Sequence, residues 1–384
     1  MKKLCVLGIT GSIGKNVSLI CKDNPLDFII KGVALNKNID GLNDFLLVHK
    51  EVEYIYIHDK NAYLKAKNLF PNITFFSSND GICKLIDSYD YDMVVNALVG
   101  FDGLIPTIHT LKKGITCALA NKESLVVGGD IINQIIKENH AKLFPIDSEH
   151  VALAKLLKGH EEDVTSLIIT ASGGAFRDYK VEELSSVSVE DALRHPSWSM
   201  GEKITIDSAT MMNKGFEIIE AYHLFHFPIS KIQVLMHDES VIHSLVELKD
   251  HSLLADLGIA DMRIAISYAL YEGHYHALDL ETLSLAKLSS LHFREIDYKK
   301  YKAINLALNA IEIGHSMPCV LNASNDACNL AFRERRLSFI KITEIVEKVM
   351  LKHKLVLNPS IDDLININSW AYQEAENLIR EEEK

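Results

Sequence analysis

The sequence predicts an α/β protein with three parts: a mostly parallel α/β domain, then an α+β domain, then a C-terminal helical bundle. Over about the first 150 residues, short apolar runs alternate with helical stretches. This alternation is typical of crossover units and of a parallel sheet that is covered on both faces. The middle of the chain has strand-like runs among longer polar loops, and the pattern is helical from about Tyr298 to the end.

Each predicted element follows from its own run of residues. The first part offers seven strands, "KLCVLGI", "DFIIKGVAL", "EYIYIH", "ITFF", "YDMVVNALV", "ITCALA" and "KLFPI". In the second part, "VTSLIITA", "KIQVLMH" and "VIHSLVEL" are predicted strands, and helices are expected over about 208–226 and 261–272. "YKAINLALNAIEIG", "ITEIVEKVMLKHK" and "WAYQEAENLIREEE" have the helical period. The expected domains are 1–147, 148–272 and 298–384, with 273–297 as a linker.

Composition excludes several classes of protein. A chain of 384 residues is long for one core, and 48% hydrophobic with 24% charged residues is typical of a soluble globular protein. A net charge of -12 argues against nucleic acid or an anionic membrane as the main partner. The six cysteines lack metal-type spacing, which favours reduced thiols. No run approaches the roughly 18 apolar residues of a membrane span, so we expect a cytoplasmic protein.

The first predicted strand leads into "GITGSIG", in which Gly8, Gly11 and Gly14 recur at every third position. Glycines at a strand-to-helix turn let the backbone approach a pyrophosphate, and the helix N-terminus supplies amide donors. This spacing differs from the commoner dinucleotide fingerprint, so a plain glycine-rich turn is the alternative.

The second predicted strand is followed by Asn36, Lys37 and Asn38. A site that prefers NAD usually has an acid here for the ribose 2′-hydroxyl. A lysine with two amides suits a 2′-phosphate instead, which favours NADP. The alternative is a solvated turn between strand and helix.

Acidic residues stand in "PIDSEH" and in "IDSATMMNKGFEIIEA". If "PIDSEH" is extended, Asp147 and Glu149 point the same way, and they repel each other unless a cation or a proton lies between them. With Glu217 they would form an all-oxygen site that suits Mg2+ or Mn2+. The alternative is that Asp147 and Glu149 cap a helix that begins near Val151.

Two other stretches, and the stretch that contains Glu217, carry polar groups of the kind that bind phosphorylated ligands. "TASGGAFR" combines Ser172 with two glycines, and Lys122 in "ANKES" follows a strand end, where ligands of parallel sheets bind. A helix from about Ser208 would put Asn213 and Lys214 on the same side as Glu217, although a solvated face has the same spacing.

The loop "RHPSWSMGEK" has an apolar centre of Trp198 and Met200 between basic ends. An exposed tryptophan on a loop favours a lid that expels water, and a tryptophan packed in the core is the alternative. His195 fits either a ligand-binding donor or a plain loop residue.

Taken together, these motifs resemble the 1-deoxy-D-xylulose 5-phosphate reductoisomerase family, whose members serve the methylerythritol phosphate route to isoprenoids. The resemblance runs nearly end to end, through "GITGSIG", "NALVGFDGL", "ALANKESLV", "PIDSEH", "TASGGAFR", "HPSWSMGEKITIDSATMMNKGFEIIEA", "SVIHSLVEL" and "LGIADMRIAISYAL". It implies a Rossmann-like domain, a catalytic α+β domain that dimerises through its sheet, and a helical bundle. Asn36 stands where the family commonly has glycine, Asp238 where it has proline and Asp326 where it has glutamate.

The resemblance also implies a role for each site residue. Cofactor contacts are expected at Thr10, Gly11, Ser12, Ile13, Asn36, Lys37, Asn38, Asn121, Glu123 and Gly201. Substrate contacts are expected at Lys122, Ser148, Glu149, Ser172, His195, Ser208, Asn213, Lys214 and Glu217. The metal ligands would be Asp147, Glu149 and Glu217, the catalytic residues Lys122, Glu149, Glu217 and Trp198, and the lid Trp198 with Met200.

The implied activity is an NADPH-dependent conversion of 1-deoxy-D-xylulose 5-phosphate to 2-C-methyl-D-erythritol 4-phosphate by a homodimer. The implied metal is Mg2+ or Mn2+, with Co2+ as a further candidate. A metal-free NADP dehydrogenase of a small aldehyde or hydroxy acid is one alternative, and it leaves the three carboxylates without a purpose. An NADP-sensing module without turnover is the other, and it needs neither metal nor lid.

Overall fold

The structure is a computed structural model that describes residues 1–78, 80–198 and 200–383. The chain forms two compact units. Unit 1 consists of Met1–Ser124, Asp130–Val151 and Asp261–Asp279, and unit 2 of Leu125–Gly129, Ala152–Ala260 and Leu280–Lys384. The first predicted boundary, after residue 147, lies close to Val151, but residues 261–279 return to unit 1. The division into three domains stays a prediction.

Strands and helices alternate through unit 1 and are mixed in unit 2. The strands are β1 Lys2–Leu7, β2 Phe28–Leu35, β3 Tyr54–Ile57, β4 Thr74–Phe76, β5 Met93–Asn96, β6 Thr116–Leu119, β7 Leu143–Pro145, β8 Val164–Ala171, β9 Ile232–His237, β10 Ile242–Leu248, β11 Leu253–Leu257 and β12 Phe293–Arg294. The helices are α1 Ser12–Asp23, α2 Ile39–Val48, α3 Lys60–Leu69, α4 Gly81–Asp87, α5 Leu104–Lys112, α6 Lys122–Asn139, α7 Ser148–Leu157, α8 Val189–Ala192, α9 Glu202–Thr210, α10 Met212–Phe225, α11 Met262–Leu270, α12 Leu285–Leu288, α13 Lys302–Ile313, α14 Met317–Arg333, α15 Phe339–Lys352 and α16 Ile361–Glu382.

Unit 1 is organised by a parallel sheet which, within the described residues, has seven strands in the order β4-β3-β2-β1-β5-β6-β7. The strand order reverses at β1, which pairs with β2 on one side and β5 on the other. In open parallel sheets, ligands bind beyond the carboxyl ends of the strands at such a reversal. The sheet therefore directs attention to the turns that follow β1, β2 and their neighbours.

Helix α11 completes the core of unit 1 although it comes late in the chain. Ile266 and Leu270 of α11 belong to the same buried cluster as Leu4 and Val6 of β1. At the end of the helix, Lys2 Nζ donates to the Leu270 carbonyl at 3.0 Å. Burial of these apolar side chains is what holds the returning segment in unit 1.

Unit 2 combines a mixed sheet with a helical bundle. Across the described residues its sheet has five strands in the order β11-β10-β8-β9-β12, of which β8 and β9 are parallel and the other pairs antiparallel. Ile218 of α10 and Ile304 of α13 share a buried cluster with Leu167 and Ile169 of β8. Helix α14 is buried along most of its length, as expected for the centre of a bundle.

The fold class is as the sequence predicts, with local differences. The helix expected over about 208–226 is two helices, α9 and α10, because Met211 between them is left-handed with φ 65°. Of the two interpretations of "PIDSEH", the extended one does not hold beyond Pro145, since α7 begins at Ser148. The expected linker contains α12 and β12. Among the described residues, no helix is both long and apolar enough to cross a membrane.

Candidate active site

The turn after β1 is tight enough to require its glycines. Gly8 has φ 92°, and a Cβ there would lie 2.5 Å from the Ala97 carbonyl oxygen. A Cβ on Gly14 would lie 2.4 Å from the Gly8 carbonyl oxygen. Side chains at both positions would collide with backbone, so helix α1 can start this close to β1 only with glycine.

Helix α1 presents its N-terminus at the carboxyl end of the sheet. Gly11 is the N-cap, has extended backbone and places no side chain over the first turn. Gly11 and Ser12 are exposed. The first amides of α1, with the positive end of the helix dipole, therefore suit an anionic group such as a pyrophosphate.

The residues after β2 lie at the same edge of the sheet. The amides of Gly8 and Ile9 donate to the Ala34 carbonyl at 2.8 and 3.0 Å, which joins the turn after β1 to the end of β2. Lys37 is exposed there. Asn38 has a structural task as well, because its Oδ1 accepts a hydrogen bond from the Gly41 amide at 2.9 Å and caps α2.

Asn121 is expected to contact the cofactor, but its side chain makes hydrogen bonds within the protein. Its Nδ2 donates to the carbonyls of Leu98 and Gly100 at 3.0 and 2.9 Å, and its Oδ1 accepts from the Ser124 amide at 3.1 Å. The side chain thus caps α6 and fixes the loop after β5. Glu123, in the first turn of α6, is buried.

Lys122 and Asp147 form a buried ion pair in unit 1, with Lys122 Nζ 2.5 Å from Asp147 Oδ2. Asp147 Oδ1 accepts from the Glu149 amide at 3.2 Å and from His150 Nδ1 at 3.0 Å. Burial alone would raise the pKa of Asp147, but the Lys122 charge and the His150 hydrogen bond outweigh it and hold this pKa well below its usual range. Asp147 is therefore an anion at neutral pH.

Asp147 and Glu149 lie close together despite the helical start of α7. Asp147 caps the helix and Glu149 lies in its first turn, as in the capping alternative, except that the helix begins at Ser148 rather than near Val151. Oxygen atoms of the two carboxylates lie within 4.8 Å of each other. Capping and metal binding are thus compatible here, and two carboxylate oxygens suit a hard cation.

His150 is a residue that sequence reasoning missed. It is buried completely and bonded to Asp147, so it helps to orient that carboxylate. His150 follows Asp147 by three residues, a spacing that brings two side chains together on a helix. The spacing has no such meaning if "PIDSEH" is interpreted as extended, and so the contact was not predicted.

In unit 2, His195 joins two serines from different elements. Its Nε2 lies 3.1 Å from both Ser172 Oγ, after β8, and Ser208 Oγ, on α9. Its Nδ1 accepts hydrogen bonds from the amides of Ser197 and Trp198 at 3.2 and 2.9 Å. A neutral imidazole whose Nδ1 accepts must carry its proton on Nε2, so His195 donates towards the serine oxygens.

Helix α10 gathers an amide, an ammonium and a carboxylate. Asn213 Nδ2 donates to Glu217 Oε1 at 2.5 Å, and Lys214 Nζ is paired with Glu217 Oε2. Lys214 is 4% exposed and Glu217 1%, so this is not a solvated face. Pairing with each other offsets the desolvation cost of these buried charges, and such a buried cluster is a candidate for a ligand site.

The tryptophan of the predicted lid is neither exposed nor in the core. Trp198 is partly buried, and its ring centroid lies 6.1 Å from that of His243. Met200 is partly buried too, and Gly201 is the N-cap of α9. The loop around Trp198 therefore ends at the helix that carries Ser208.

Comparison with known proteins gives consistent matches along the chain. Residues 4–129 match the family model for 1-deoxy-D-xylulose 5-phosphate reductoisomerase, and residues 143–225 and 257–374 match the models for its C-terminal domains. The 1-deoxy-D-xylulose 5-phosphate reductoisomerase of Geobacillus sp. (strain WCH70) is 40% identical over 372 residues, which cover 96% of this chain and 97% of that protein.

Solved structures of the same family also match the chain over nearly its whole length. The 1-deoxy-D-xylulose 5-phosphate reductoisomerase from Zymomonas mobilis in complex with NADPH matches with a TM-score of 0.91 and 35% identity, covering 98% of this chain and 99% of that one. A DOX-P reductoisomerase in complex with NADPH, fosmidomycin and magnesium matches with a TM-score of 0.93 and 32% identity, covering 99% and 98%. Since relatives at this level of identity span almost its whole length, the chain belongs to the 1-deoxy-D-xylulose 5-phosphate reductoisomerase family.

Proposed function

We propose that this chain converts 1-deoxy-D-xylulose 5-phosphate to 2-C-methyl-D-erythritol 4-phosphate with NADPH and a divalent cation, in the biosynthesis of isoprenoid precursors. The observation that carries this function is the full-length relationship, 40% identity over 96% of the chain. Solved relatives hold NADPH, magnesium and fosmidomycin. The ionised carboxylate of Asp147 suits a divalent cation, the serine hydroxyls of unit 2 suit a phosphate group, and the exposed N-terminus of α1 suits a dinucleotide.

The residues for NADPH fit the group. The first amides of α1, from the turn Thr10–Ile13, would receive the pyrophosphate, because a tight glycine turn brings backbone donors to an exposed helix N-terminus. Lys37, with Asn36 and Asn38, would hold the 2′-phosphate. Asn121 would act by fixing the loops around the nicotinamide half, since its side chain is used internally. Glu123 and Gly201 are the remaining expected contacts. When bound, NADPH supplies the hydride.

Asp147, Glu149 and Glu217 would hold the divalent cation. In support, the first two carboxylates are close together in unit 1, and the third is buried on α10 in unit 2. Mg2+ and Mn2+, with Co2+ as a further candidate, accept oxygen ligands, and the ion supplies Lewis acidity at the substrate oxygens. Lys122 keeps Asp147 ionised, and Ser148 orients Glu149 through a hydrogen bond of 2.6 Å.

Ser172, Ser208, Asn213 and Lys214 would bind the substrate phosphate, together with His195. Because His195 Nε2 donates to the serine oxygens, the two hydroxyl protons remain available for phosphate oxygens. Lys214 adds an ammonium and Asn213 an amide. Holding this remote group contributes binding energy to orientation at the reacting carbons.

Trp198 and Met200 would close over the substrate and exclude water. Support comes from the backbone, since the Trp198 amide is bonded to His195 and the loop ends at Gly201 on α9. Engagement of phosphate by His195 is thereby linked mechanically to the position of the tryptophan.

Further proposals concern the state of the protein in the cell. A homodimer formed through the sheet of unit 2 is proposed from the family resemblance, and a cytoplasmic location from the reduced cysteines, which are all free. The net charge of -12 supports a protein that does not bind nucleic acid or an anionic membrane. The domain boundaries at 147, 272 and 297 are part of the same proposal.

The experiment is oxidation of NADPH with 1-deoxy-D-xylulose 5-phosphate, for wild type and Glu217→Gln, with chelator and after Mn2+ is added back. We expect the wild type to lose its activity with chelator and to regain it with Mn2+, whereas Glu217→Gln should stay inactive under both conditions. Glu312→Gln on the exposed side of α13 is the matched control and should behave as wild type. Cation-independent oxidation that survives Glu217→Gln would instead indicate the metal-free dehydrogenase.

A further inference from the structure

The loop of residues 172–179, which follows β8, carries Ser172 over two left-handed glycines. Gly173 has φ 81° and Gly174 φ 66°, conformations that other residues rarely adopt. A Cβ on Gly174 would lie 2.6 Å from the Ser208 carbonyl oxygen, so this 172–179 loop packs directly against the backbone of α9. A loop of this shape has no repeating hydrogen bonds of its own and needs partners for its carbonyls.

Lys300 supplies hydrogen-bond donors for the carbonyl oxygens of the 172–179 loop. Its Nζ donates to the carbonyl oxygens of Phe176, Arg177 and Tyr179 at 2.6, 2.9 and 2.6 Å. An ammonium has three hydrogens, so all its donors are spent on one stretch of the 172–179 loop. The adjacent Tyr301 hydroxyl donates to the Gly173 carbonyl at 3.2 Å.

The support is itself held in place. Asp297 Oδ1 accepts from the Lys300 amide at 3.2 Å, and its carbonyl accepts from the Tyr301 amide at 2.9 Å, just before α13 begins. On the loop side, Phe176 is 1% exposed and its ring lies 4.8 Å from that of Phe339. The loop side of the contact is therefore anchored in the packed interior of unit 2, and the Lys300 side is fixed by hydrogen bonds to the exposed Asp297.

We propose that Lys300 and Tyr301 are positioning residues for phosphate binding: they hold the 172–179 loop in the conformation in which Ser172 faces His195 and Ser208. This inference rests on the proposed function, in which these hydroxyls bind the phosphate of the substrate. Lys300 and Tyr301 act on the main chain of the loop and leave the serine hydroxyl to the ligand. Because a small displacement of a binding group is costly to turnover, the loop must be pre-organised before the substrate arrives.

The test compares Lys300→Met with Lys299→Met, which removes an exposed ammonium one residue away. For Lys300→Met we expect the KM for 1-deoxy-D-xylulose 5-phosphate to rise and kcat to fall, together by about tenfold to a hundredfold in kcat/KM. The Kd of inorganic phosphate, measured by calorimetry without substrate, should weaken in parallel, and the KM for NADPH should not change. Lys300→Arg should recover part of the loss, because guanidinium also donates several hydrogen bonds. Lys299→Met should match the wild type.

Two outcomes would contradict the positioning role of Lys300 or the proposed function on which it rests. If Lys300→Met melts at a lower temperature but keeps the wild-type KM for the sugar phosphate and the wild-type phosphate Kd, Lys300 only stabilises the fold and the inference is overturned. If Lys300→Met does not fold, Tyr301→Phe, which removes a single hydroxyl, decides on the same two readings. A wild type that oxidises no NADPH contradicts the proposed function, whereas an active wild type beside an equally active Lys300→Met contradicts the inference.

Discussion

The two ring nitrogens of His195 have separate tasks, and this separation depends on its charge. Nδ1 accepts from the amides of Ser197 and Trp198, while Nε2 donates to serine oxygens. Protonation would put a hydrogen on Nδ1 and break both amide contacts. Burial, followed by the charge of Arg177, lowers the pKa of His195 to about 4. The imidazole is therefore neutral throughout the physiological range.

An NMR titration of the ring protons tests this state. We expect the His195 resonances of the free protein to stay constant from pH 8 down to about pH 5 and to move only near pH 4. Because the unfolded side chain titrates near 6.5, the contribution of His195 to stability is full above that pH and declines as the pH falls towards 4. The exposed His274 serves as the comparison resonance. A midpoint for His195 near 6.5 would contradict the assigned tautomer.

The Lys122–Asp147 pair predicts a stability change that depends on the metal. Lys122→Met leaves a buried carboxylate without its ammonium, which costs about 3–5 kcal/mol of unfolding free energy in comparable buried pairs. A divalent cation can replace the missing charge, so the loss should be smaller with Mg2+ present. Urea unfolding with and without Mg2+ measures both values.

The matched control for that experiment is Lys113→Met. Lys113 pairs with Asp87 at 2.5 Å, but both side chains are well exposed. Screening by water limits such a pair to about 1 kcal/mol or less. Equal losses at the two lysines, or a loss at Lys122 that Mg2+ leaves unchanged, would count against a cation at Asp147.

At the scale of elements, the turn from β1 to α1 is set by steric limits that the sequence displays only as a spacing. A Cβ on Gly14 would meet the Gly8 oxygen at 2.4 Å and Ile9 Cα at 2.5 Å, and backbone cannot yield as a side chain can. A Cβ on Gly11 would meet the Gly8 oxygen at 3.3 Å. The two alanine variants should therefore differ.

We expect Gly14→Ala to lower the unfolding free energy by roughly 1–3 kcal/mol and to raise the KM for NADPH, because α1 must move away from β1. Gly11→Ala should have a smaller effect on stability. Thermal melts and NADPH titrations of both variants measure the difference. The steric account fails if Gly11→Ala proves the more harmful of the two.

At the junction of α9 and α10, the backbone strain of Met211 opposes the stabilisation that its buried side chain provides. Met211 is left-handed, with φ 65°, which costs an ordinary residue about 1–2 kcal/mol. Its side chain is 2% exposed, and truncation of a buried methionine costs about 2–5 kcal/mol. Packing outweighs strain, and this explains why methionine rather than glycine occupies the junction.

Met211→Gly should accordingly destabilise the protein in urea unfolding although it relieves the backbone. His140, left-handed at the end of α6 and exposed, is the matched case in which nothing is lost by truncation. There, His140→Gly should raise the unfolding free energy by about 1 kcal/mol or less. A stabilised Met211→Gly would show that the strain has been underestimated.

At the scale of the whole molecule, the two compact units carry different ligand sites in the proposed function. NADPH added alone should slow hydrogen exchange in the β1–α1 turn and after β2, both in unit 1. Inorganic phosphate added alone should slow exchange in the 172–179 loop and at the α9–α10 junction, both in unit 2. Mass spectrometry of exchange under the two conditions measures this. Protection in the reverse pattern would contradict the assignment of the sites.

Sequence reasoning succeeded where one local pattern decides the structure. The strands of unit 1 lie in short, mainly apolar runs, and each appears where the sequence predicts it. Prediction from the sequence failed where the structure depends on a partner that is distant in the sequence or on a single backbone angle. The edge strand β12 has two residues, Phe293 and Arg294, too few for any pattern. The left-handed Met211 divides a segment whose composition is helical throughout.

The candidate site shows the same division. That Asn213, Lys214 and Glu217 share one side of a helix follows from their spacing. The internal use of Asn121 and the support that Lys300 gives to residues 176–179 depend on carbonyls far away in the sequence. No local sequence pattern predicts such contacts.

The late position of α11 in the chain has a consequence for synthesis on the ribosome. Ile266 and Leu270 fill the same apolar cluster as Leu4, yet more than a hundred residues of unit 2 are translated between them and Val151. Until residue 279 has left the exit tunnel, the nascent β-sheet has a bare hydrophobic flank that holdase chaperones can recognise. We therefore expect a premature stop codon before α11 to release a polypeptide that aggregates instead of a smaller nucleotide-binding protein.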